Sequence, residues 1–364
     1  MAGDLTNHRA APVAFGLRAV PQLFGLLQQR DAAVRLRVLD SLCELIRDPE
    51  RLYQTVHGDF LWQLEVLLKD EDAAVRAKTC ELLHLVTNHA TGRQALLASP
   101  LLPAVTRLMD DPSPSCRRNV HRVLNGLALL PSGADALLTL VPVLILKLRQ
   151  DEEEEEVQVF LLSTLCCCSR LDALPALTSH GISLLSHKLS HPSPNIRREA
   201  AATMMVLRYR CVHCVFCCQQ FIYGLRWLCV AGLSVPVDGK REVCEQNVLP
   251  VLLGLLQDDD VEVRANAAGV IMNAAVITTG KQLCLHLDVI PVLLNLLSED
   301  GDREGTKALQ LYCLRALAAL AEAPDGRSQL MNELPLLERR CEAAGDQDIS
   351  RAAQTVIRVI TWVP

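Results

Sequence analysis

Arg35, Arg76 and Arg117 stand 41 residues apart, each within a short polar phrase: RDAAVR, EDAAVR and SPSCRR. The phrase returns as DDVEVR ending at Arg264 and, more weakly, as DQDISR ending at Arg351. Two further registers share the spacing. Gly92 and Gly133 are one period apart, as are Gly239 and Gly280, and a base follows in TGR, DGK, TGK and, at Gly326, DGR. Prolines that open leucine-rich runs recur at Pro21, Pro103, Pro142, Pro250 and Pro291, the first two separated by two periods and the last two by one. Self-similarity at a fixed period of this length marks a chain built by stacking one supersecondary unit on the next.

Each period reads as helices. The proline falls in the first turn of one helix, where a missing N–H costs nothing. Val251, Leu252, Leu255 and Leu256 then recur at helical spacing. The polar turn Gln257 to Asp260 supplies carboxylates that cap the next helix. That helix, expected over 261–276, carries the small apolar stripe Ala265, Ala268, Ile271, Met272 and Ala275. Gly280 is expected to end it in the left-handed conformation, and a short helix over 281–287 leads to the next proline. Such a unit buries its faces only against its neighbours, which makes a quasi-linear solenoid. The units run approximately 15–58, 59–98, 99–138, 139–178, 179–246, 247–286, 287–331 and 332–364, preceded by a flexible arm over 1–14.

Composition agrees with helix-on-helix packing. Aromatic residues are only 4% of the 364 residues and hydrophobic residues 50%, a palette poor for strands and too apolar for a disordered chain. The net charge of −6 provides no broad basic field, so nucleic acid is not an expected partner. The opening MAGDLTNHRAAP lacks the apolar stretch of a secretory leader, so the 15 cysteines are expected to be reduced and mostly core residues.

The fifth unit departs from the pattern. Arg76 to Gly92, Arg117 to Gly133 and Arg264 to Gly280 are one constant interval, whereas Arg197 to Gly239 exceeds it by more than half a period. The surplus falls near 208–232, RYRCVHCVFCCQQFIYGLRWLCVAG, which holds five cysteines and five of the chain's thirteen aromatic residues. Its uncharged run, between Arg210 and Arg226, is short of the roughly 20 apolar residues a bilayer core requires. Cys211, Cys214, Cys217, Cys218 and His213 have thiolate spacing that a metal could use, but they are crowded together and lack the second, separated ligand pair of a zinc site. Thiol lipidation is a further reading. The favoured one is an out-of-register insertion whose removal over 208–231 restores a continuous repeat.

The chemistry-bearing motifs are absent: no P-loop, no dinucleotide fingerprint, no H-E-x-x-H and no G-x-S-x-G. His84 and His89, and His187 and His191, form no ligand set. Cys166, Cys167 and Cys168 occupy successive helical positions, which point apart and suit a core. The acidic run Asp151 to Glu156 reads as a solvated turn or as a contact for a basic partner. No enzyme activity, cofactor, metal, membrane contact or small-molecule substrate is expected.

The pattern P-x-L-x-x-L-L, an acidic turn, V-x-V-R-x-x-A-A-x-x-I-x-N-A-A and T-G-K resembles armadillo repeats over nearly the whole chain. The phrase SVPVDGKREVCEQNVLPVLLGLLQDDDVEVRANAAGVIMNAAVITTGK and the ending RAAQTVIRVITWVP are similar to one family, the armadillo-type radial spoke head homologues of motile cilia and flagella. The resemblance implies an all-α armadillo/HEAT-like right-handed superhelical solenoid of about eight repeats. It also implies a scaffold of the axonemal cytoskeleton whose partners are other radial spoke proteins. The alternative is a cytoplasmic or nuclear armadillo adaptor. Peptide-carrying armadillo proteins use an asparagine ladder, and the matching positions here are Leu85, Gly126, Asn273 and Ala319, with Glu44 or Cys167 by the period from the repeat Arg, of which only Asn273 fits. The candidate contact residues are Arg117, Arg118, Asn119, Arg264, Asn266 and Asn273, with bonding to carboxylates of neighbouring repeats as the competing role for the arginines.

Overall fold

The computed structural model describes residues 18–58, 60–206, 237–298, 304–343 and 346–362. The arm over 1–14 and the insertion near 208–232, with its five cysteines, lie outside the described residues.

The described helices fall into seven groups of three and a final pair. The groups begin with α1 (Ala19–Leu26), α2 (Ala32–Leu45) and α3 (Pro49–His57), then α4 (Leu61–Leu67), α5 (Ala73–Thr87) and α6 (Ala90–Ala98). Next come α7 (Leu101–Arg107), α8 (Pro114–Ala128) and α9 (Pro131–Leu137), then α10 (Val141–Gln150), α11 (Glu155–Leu171) and α12 (Leu174–Thr178). The fifth and sixth groups are α13 (Gly181–Leu189), α14 (Pro194–Val206) and α15 (Val237–Glu245), then α16 (Leu249–Leu255), α17 (Val261–Ala274) and α18 (Thr278–His286). The last are α19 (Val289–Ser298), α20 (Glu304–Ala321) and α21 (Pro324–Met331), followed by α22 (Leu334–Ala343) and α23 (Gln347–Ile360). Each group is a leading helix, a long helix and a bridging helix.

Two compact units divide the chain. The first runs to Leu137 and includes Glu156–Thr164 of α11, and the second holds Leu138–Glu155 and everything from Leu165 on. Within each, like packs on like. The long helices α2, α5 and α8 follow one another in the first unit, and α14, α17, α20 and α23 do so in the second. Leading helices pair as α4 with α7 and α13 with α16; bridging helices pair as α3 with α6 and α15 with α18. The core of the first unit includes Leu39, Leu42, Leu64, Leu82, Leu83 and Leu124; that of the second includes Leu185, Leu252, Ile271, Leu293 and Leu317. All are sealed from solvent, and burial of each such side chain contributes about 1.5–3 kcal/mol.

Local signals set the helix ends. Asp31, Asp72, Asp260 and Asp346 precede long helices, and each carboxylate accepts from the backbone N–H two residues on, at 2.9, 2.7, 2.8 and 2.8 Å. The repeat prolines sit in first turns, as with Pro142 in α10 and Pro250 in α16. His180, Asn247 and Asp288, at the corner entering a leading helix, have φ of 56, 53 and 50°. These polar side chains tolerate that conformation better than bulky apolar ones.

The glycine register has a different cause from the expected left-handed helix end. Gly280 lies in the first turn of α18, because α17 stops at Ala274 and the bridging helix starts at Thr278. There it meets the end of the long helix so closely that a Cβ would fall 2.0 Å from the Ala274 carbonyl oxygen. Gly92 against Val86 and Gly133 against Leu127 give the same 2.0 Å, and Gly326 against Leu320 gives 2.3 Å. The base that follows has a matching task in two repeats. Arg93 donates to the Thr87 carbonyl at 2.8 Å and Arg327 to the Ala321 carbonyl at 3.3 Å, at the C-terminal ends of α5 and α20.

Candidate protein-contact surface

The repeat arginine is built into a ladder. In the first unit the Arg35 Nε lies 2.9 Å from the Asp70 carboxylate and the Arg76 Nε 2.7 Å from that of Asp111. The same guanidiniums reach back to their own turns. Arg76 donates to the Asp70 and Glu71 carbonyls at 2.8 and 3.0 Å, and Arg117 to the Asp111 and Pro112 carbonyls at 2.9 and 3.4 Å. Each aspartate also accepts from the N–H two residues on, at 2.9 Å for Asp72 and 2.8 Å for Ser113. The aspartate therefore organises its own turn and holds the arginine of the repeat before. Burial pushes the Asp111 carboxyl up, but Arg76 and the Ser113 N–H outweigh it and hold its pKa below the usual aspartate value.

The second unit repeats the device. Arg197 pairs with Asp258 at 2.7 Å and donates to the His191 and Pro192 carbonyls at 3.1 and 2.7 Å. Arg198 pairs with Asp260 and, at 3.1 Å, with Glu262. Burial again raises the Asp260 carboxyl, and Arg198 with the Glu262 and Val263 N–H groups brings it below its ordinary value.

The asparagines are struts of the same kind. Asn119, nearly sealed from solvent, donates its amide to the Ala77 carbonyl at 2.9 Å. Its counterpart Asn266 donates to the Arg198 carbonyl at 3.4 Å, and Asn273 donates to the Met205 carbonyl at 3.3 Å. The structure thus places Asn119, Asn266 and Asn273 between successive long helices, where a carbonyl of one is met by an amide of the next. Arg118 and Arg122 pair with Glu156, the first at 3.3 Å, and Arg122 lies 5.8 Å above the Phe160 ring. Arg264 is half-buried beside an open depression of about 370 Å³ shared with Gln257, Pro291 and Asn295. Of the six candidates, Arg117, Arg118 and Asn119 belong to the first unit, and Arg264, Asn266 and Asn273 to the second.

The acidic run is partly engaged. Asp151, in a left-handed conformation after α10, lies 2.5 Å from the buried Lys188 ammonium. Glu155 accepts from Ser193 and Asn195, while Glu156 takes Arg118 and Arg122 in the first unit. Cys166 and Cys168 are buried and Cys167 half-buried. Desolvation pushes the thiol of Cys166 up to about 11 and those of Cys43, Cys168 and Cys284 to about 12, so these groups stay protonated at neutral pH. Among the described residues no three His, Cys, Asp or Glu side chains converge on a metal-sized site. The run Pro131–Gln150 is long and apolar enough to cross a membrane by length and composition; it is the α9–α10 pair, and Leu137, Leu144, Ile145 and Leu148 in it are buried within the protein.

The class of molecule is now defined: an all-helical, armadillo/HEAT-like solenoid. A family model for the armadillo/beta-catenin-like repeat matches residues 236–276, which is α15 to α17 with the Asp260 cap and Asn273. A crystal structure of an engineered protein is similar to this chain with a TM-score of 0.65 at 17% identity, over 94% of this chain and 89% of that one. Another engineered protein aligns at a TM-score of 0.44 and 16% identity, over 82% of this chain and 95% of that one. An armadillo repeat suggests a protein-binding scaffold, and the ladder described here joins repeat to repeat in this chain.

Proposed function

We propose that the chain is a non-enzymatic scaffold subunit of the axonemal radial spoke, in motile cilia and flagella, where it docks other spoke proteins. The family-like phrases around SVPVDGK and RAAQTVIRVITWVP support the reading. The mechanical observation that carries it is the Arg–Asp ladder, with Arg76 paired to Asp111 at 2.7 Å and Arg197 to Asp258 at 2.7 Å. A spoke element transmits load between distant attachment points. A stack joined by nearly buried charge-assisted bonds resists separation of its repeats while each repeat touches only its neighbours. Of the six candidate residues, Arg118 keeps about a third of its side chain exposed, at 32%, and is our choice for partner contact.

Salt extraction of purified axonemes tests the reading. A spoke subunit stays with the axoneme, and its knockout removes spoke density in electron tomograms. A soluble cytosolic or nuclear pool carrying peptide cargo would instead identify an adaptor.

A further inference from the structure

The chain contains three Ser-Pro steps, at Ser99, Ser113 and Ser193. Two of them occupy the residue just before a long helix, as Pro112-Ser113-Pro114 and Pro192-Ser193-Pro194, where Asp31, Asp72, Asp260 and Asp346 stand in other repeats. A proline on each side holds the serine extended, as the Ser113 angles of −79 and 117° show, and all four prolines are exposed. An extended, proline-flanked serine in an exposed turn has the form a protein kinase takes into its substrate groove.

The two turns differ in what the hydroxyl touches. Ser113 Oγ accepts from the Cys116 N–H at 3.4 Å, serving its own helix. Ser193 Oγ instead donates to Glu155 Oε1 at 2.5 Å, and Asn195 donates to the same oxygen at 3.1 Å. Both partners lie in the second compact unit and join the first turn of α11 to the turn before α14. Ser193 and Glu155 are 38 residues apart, and the position at the same distance before Ser113 is Val75, which offers no carboxylate. The Ser193 hydroxyl is also the first cause holding the Glu155 carboxyl below its usual range, followed by Asn195.

We propose that Ser193 is a phosphorylation site for a proline-directed protein kinase, and that its phosphate releases the α14 turn from Glu155. The serine oxygen attacks the γ-phosphorus of a nucleoside triphosphate. The new O–P bond forms as the bond from that phosphorus to the β–γ bridging oxygen breaks, the nucleoside diphosphate leaves, and the hydroxyl proton passes to the kinase base and then to solvent. The product has lost the O–H that Glu155 accepted. It places about −1.5 to −2 charges against a carboxylate, so the contact changes from attraction to repulsion. Helix α14 itself tolerates the anion, since its N-terminus presents free N–H groups and four equivalent helices already carry aspartate there.

The experiment uses the full chain, ATP and a proline-directed kinase, with tandem mass spectrometry to locate phosphate and hydrogen–deuterium exchange to read the contact. Phosphate at Ser193, absent from Ser193→Ala, is expected to speed amide exchange over 152–157 several-fold. Glu155→Gln, which removes the negative charge from that residue, is expected to cut that acceleration to less than half. The proposal is overturned if Ser193 stays unlabelled while a free peptide spanning 188–200 is labelled. It is equally overturned if phosphorylation leaves exchange unchanged, or if Glu155→Gln responds as strongly as the parent.

Discussion

Arg197 and Asp258 are 61 residues apart in sequence, yet Nε of one lies 2.7 Å from a carboxylate oxygen of the other. In the first unit the equivalent pairs, Arg35 with Asp70 and Arg76 with Asp111, are separated by 35 residues. The asparagine strut repeats the difference: Asn119 reaches back 42 residues to Ala77, and Asn266 reaches back 68 to Arg198. Both comparisons give the same surplus between repeats that nevertheless make the ordinary contacts, and the sequence between Val206 and Val237 contains it.

The surplus is 26 residues, two more than the span 208–231 read from the sequence, so deleting 208–233 returns the Arg-to-Gly interval of the fifth repeat to the interval of the others. We expect the shortened chain to remain folded, with a melting temperature no more than a few degrees below that of the parent. Differential scanning calorimetry with circular dichroism decides it. A lost or strongly lowered transition would mean that the repeats on either side depend on the segment.

Arg76→Met strands Asp111, whose side chain is only 3% exposed. Leaving a nearly buried carboxylate unpaired is expected to cost about 2–4 kcal/mol. Lys69→Met breaks a pair with Glu65 in which the lysine is 57% exposed, and is expected to cost less than about 0.5 kcal/mol. Urea unfolding of the two variants reads the contrast, and similar midpoints would contradict a structural role for the ladder.

The glycine register allows a sharper comparison. Gly280→Ala forces a Cβ into the space of the Ala274 carbonyl oxygen and is expected to destabilise by roughly 2 kcal/mol or more. Gly254→Ala, inside α16 with nothing within 4 Å of the new Cβ, is expected to be neutral or to stabilise by up to about 1 kcal/mol. Thermal melts of both variants test whether close approach, rather than backbone conformation, is what the register encodes.

Stability should fall in acid with a defined sign. The carboxyls of Asp111, Asp260 and Asp346 have folded-state pKa values below the ordinary 3.8. Their contribution is therefore present above the unfolded value and is lost as pH falls through the folded one. Urea midpoints are expected to decline below about pH 4 from these groups. Asp111→Asn should be less stable at neutral pH and show a shallower acid decline; an unchanged slope would exclude that carboxylate as a contributor.

Much of the fold is legible in the sequence because a repeat protein writes the same local instructions several times. Helix starts at Asp260 and Asp346, prolines in first turns and the 41-residue register all act within a few residues of one another, so periodicity exposes them. Periodicity also marks Gly280, but not the reason for it: a helix end and a close crossing of two helices both demand glycine, and only the crossing distance separates them. The carbonyls that Asn119, Asn266 and Asn273 bond, at Ala77, Arg198 and Met205, lie 42, 68 and 68 residues away, too far for a local pattern to show. Ser193 carries a visible Ser-Pro signal, but its partner Glu155 lies 38 residues away in another repeat.

By itself, the sequence determined the helical class, the repeat length, the number of groups and the surplus in the fifth repeat, since these depend on local caps, steric punctuation and counting. Only the tertiary structure decided what each polar residue of the repeat does. Whether an arginine faces a partner or the aspartate of the next repeat depends on how two long helices stack, and that is set by burial of leucines distributed along the whole chain.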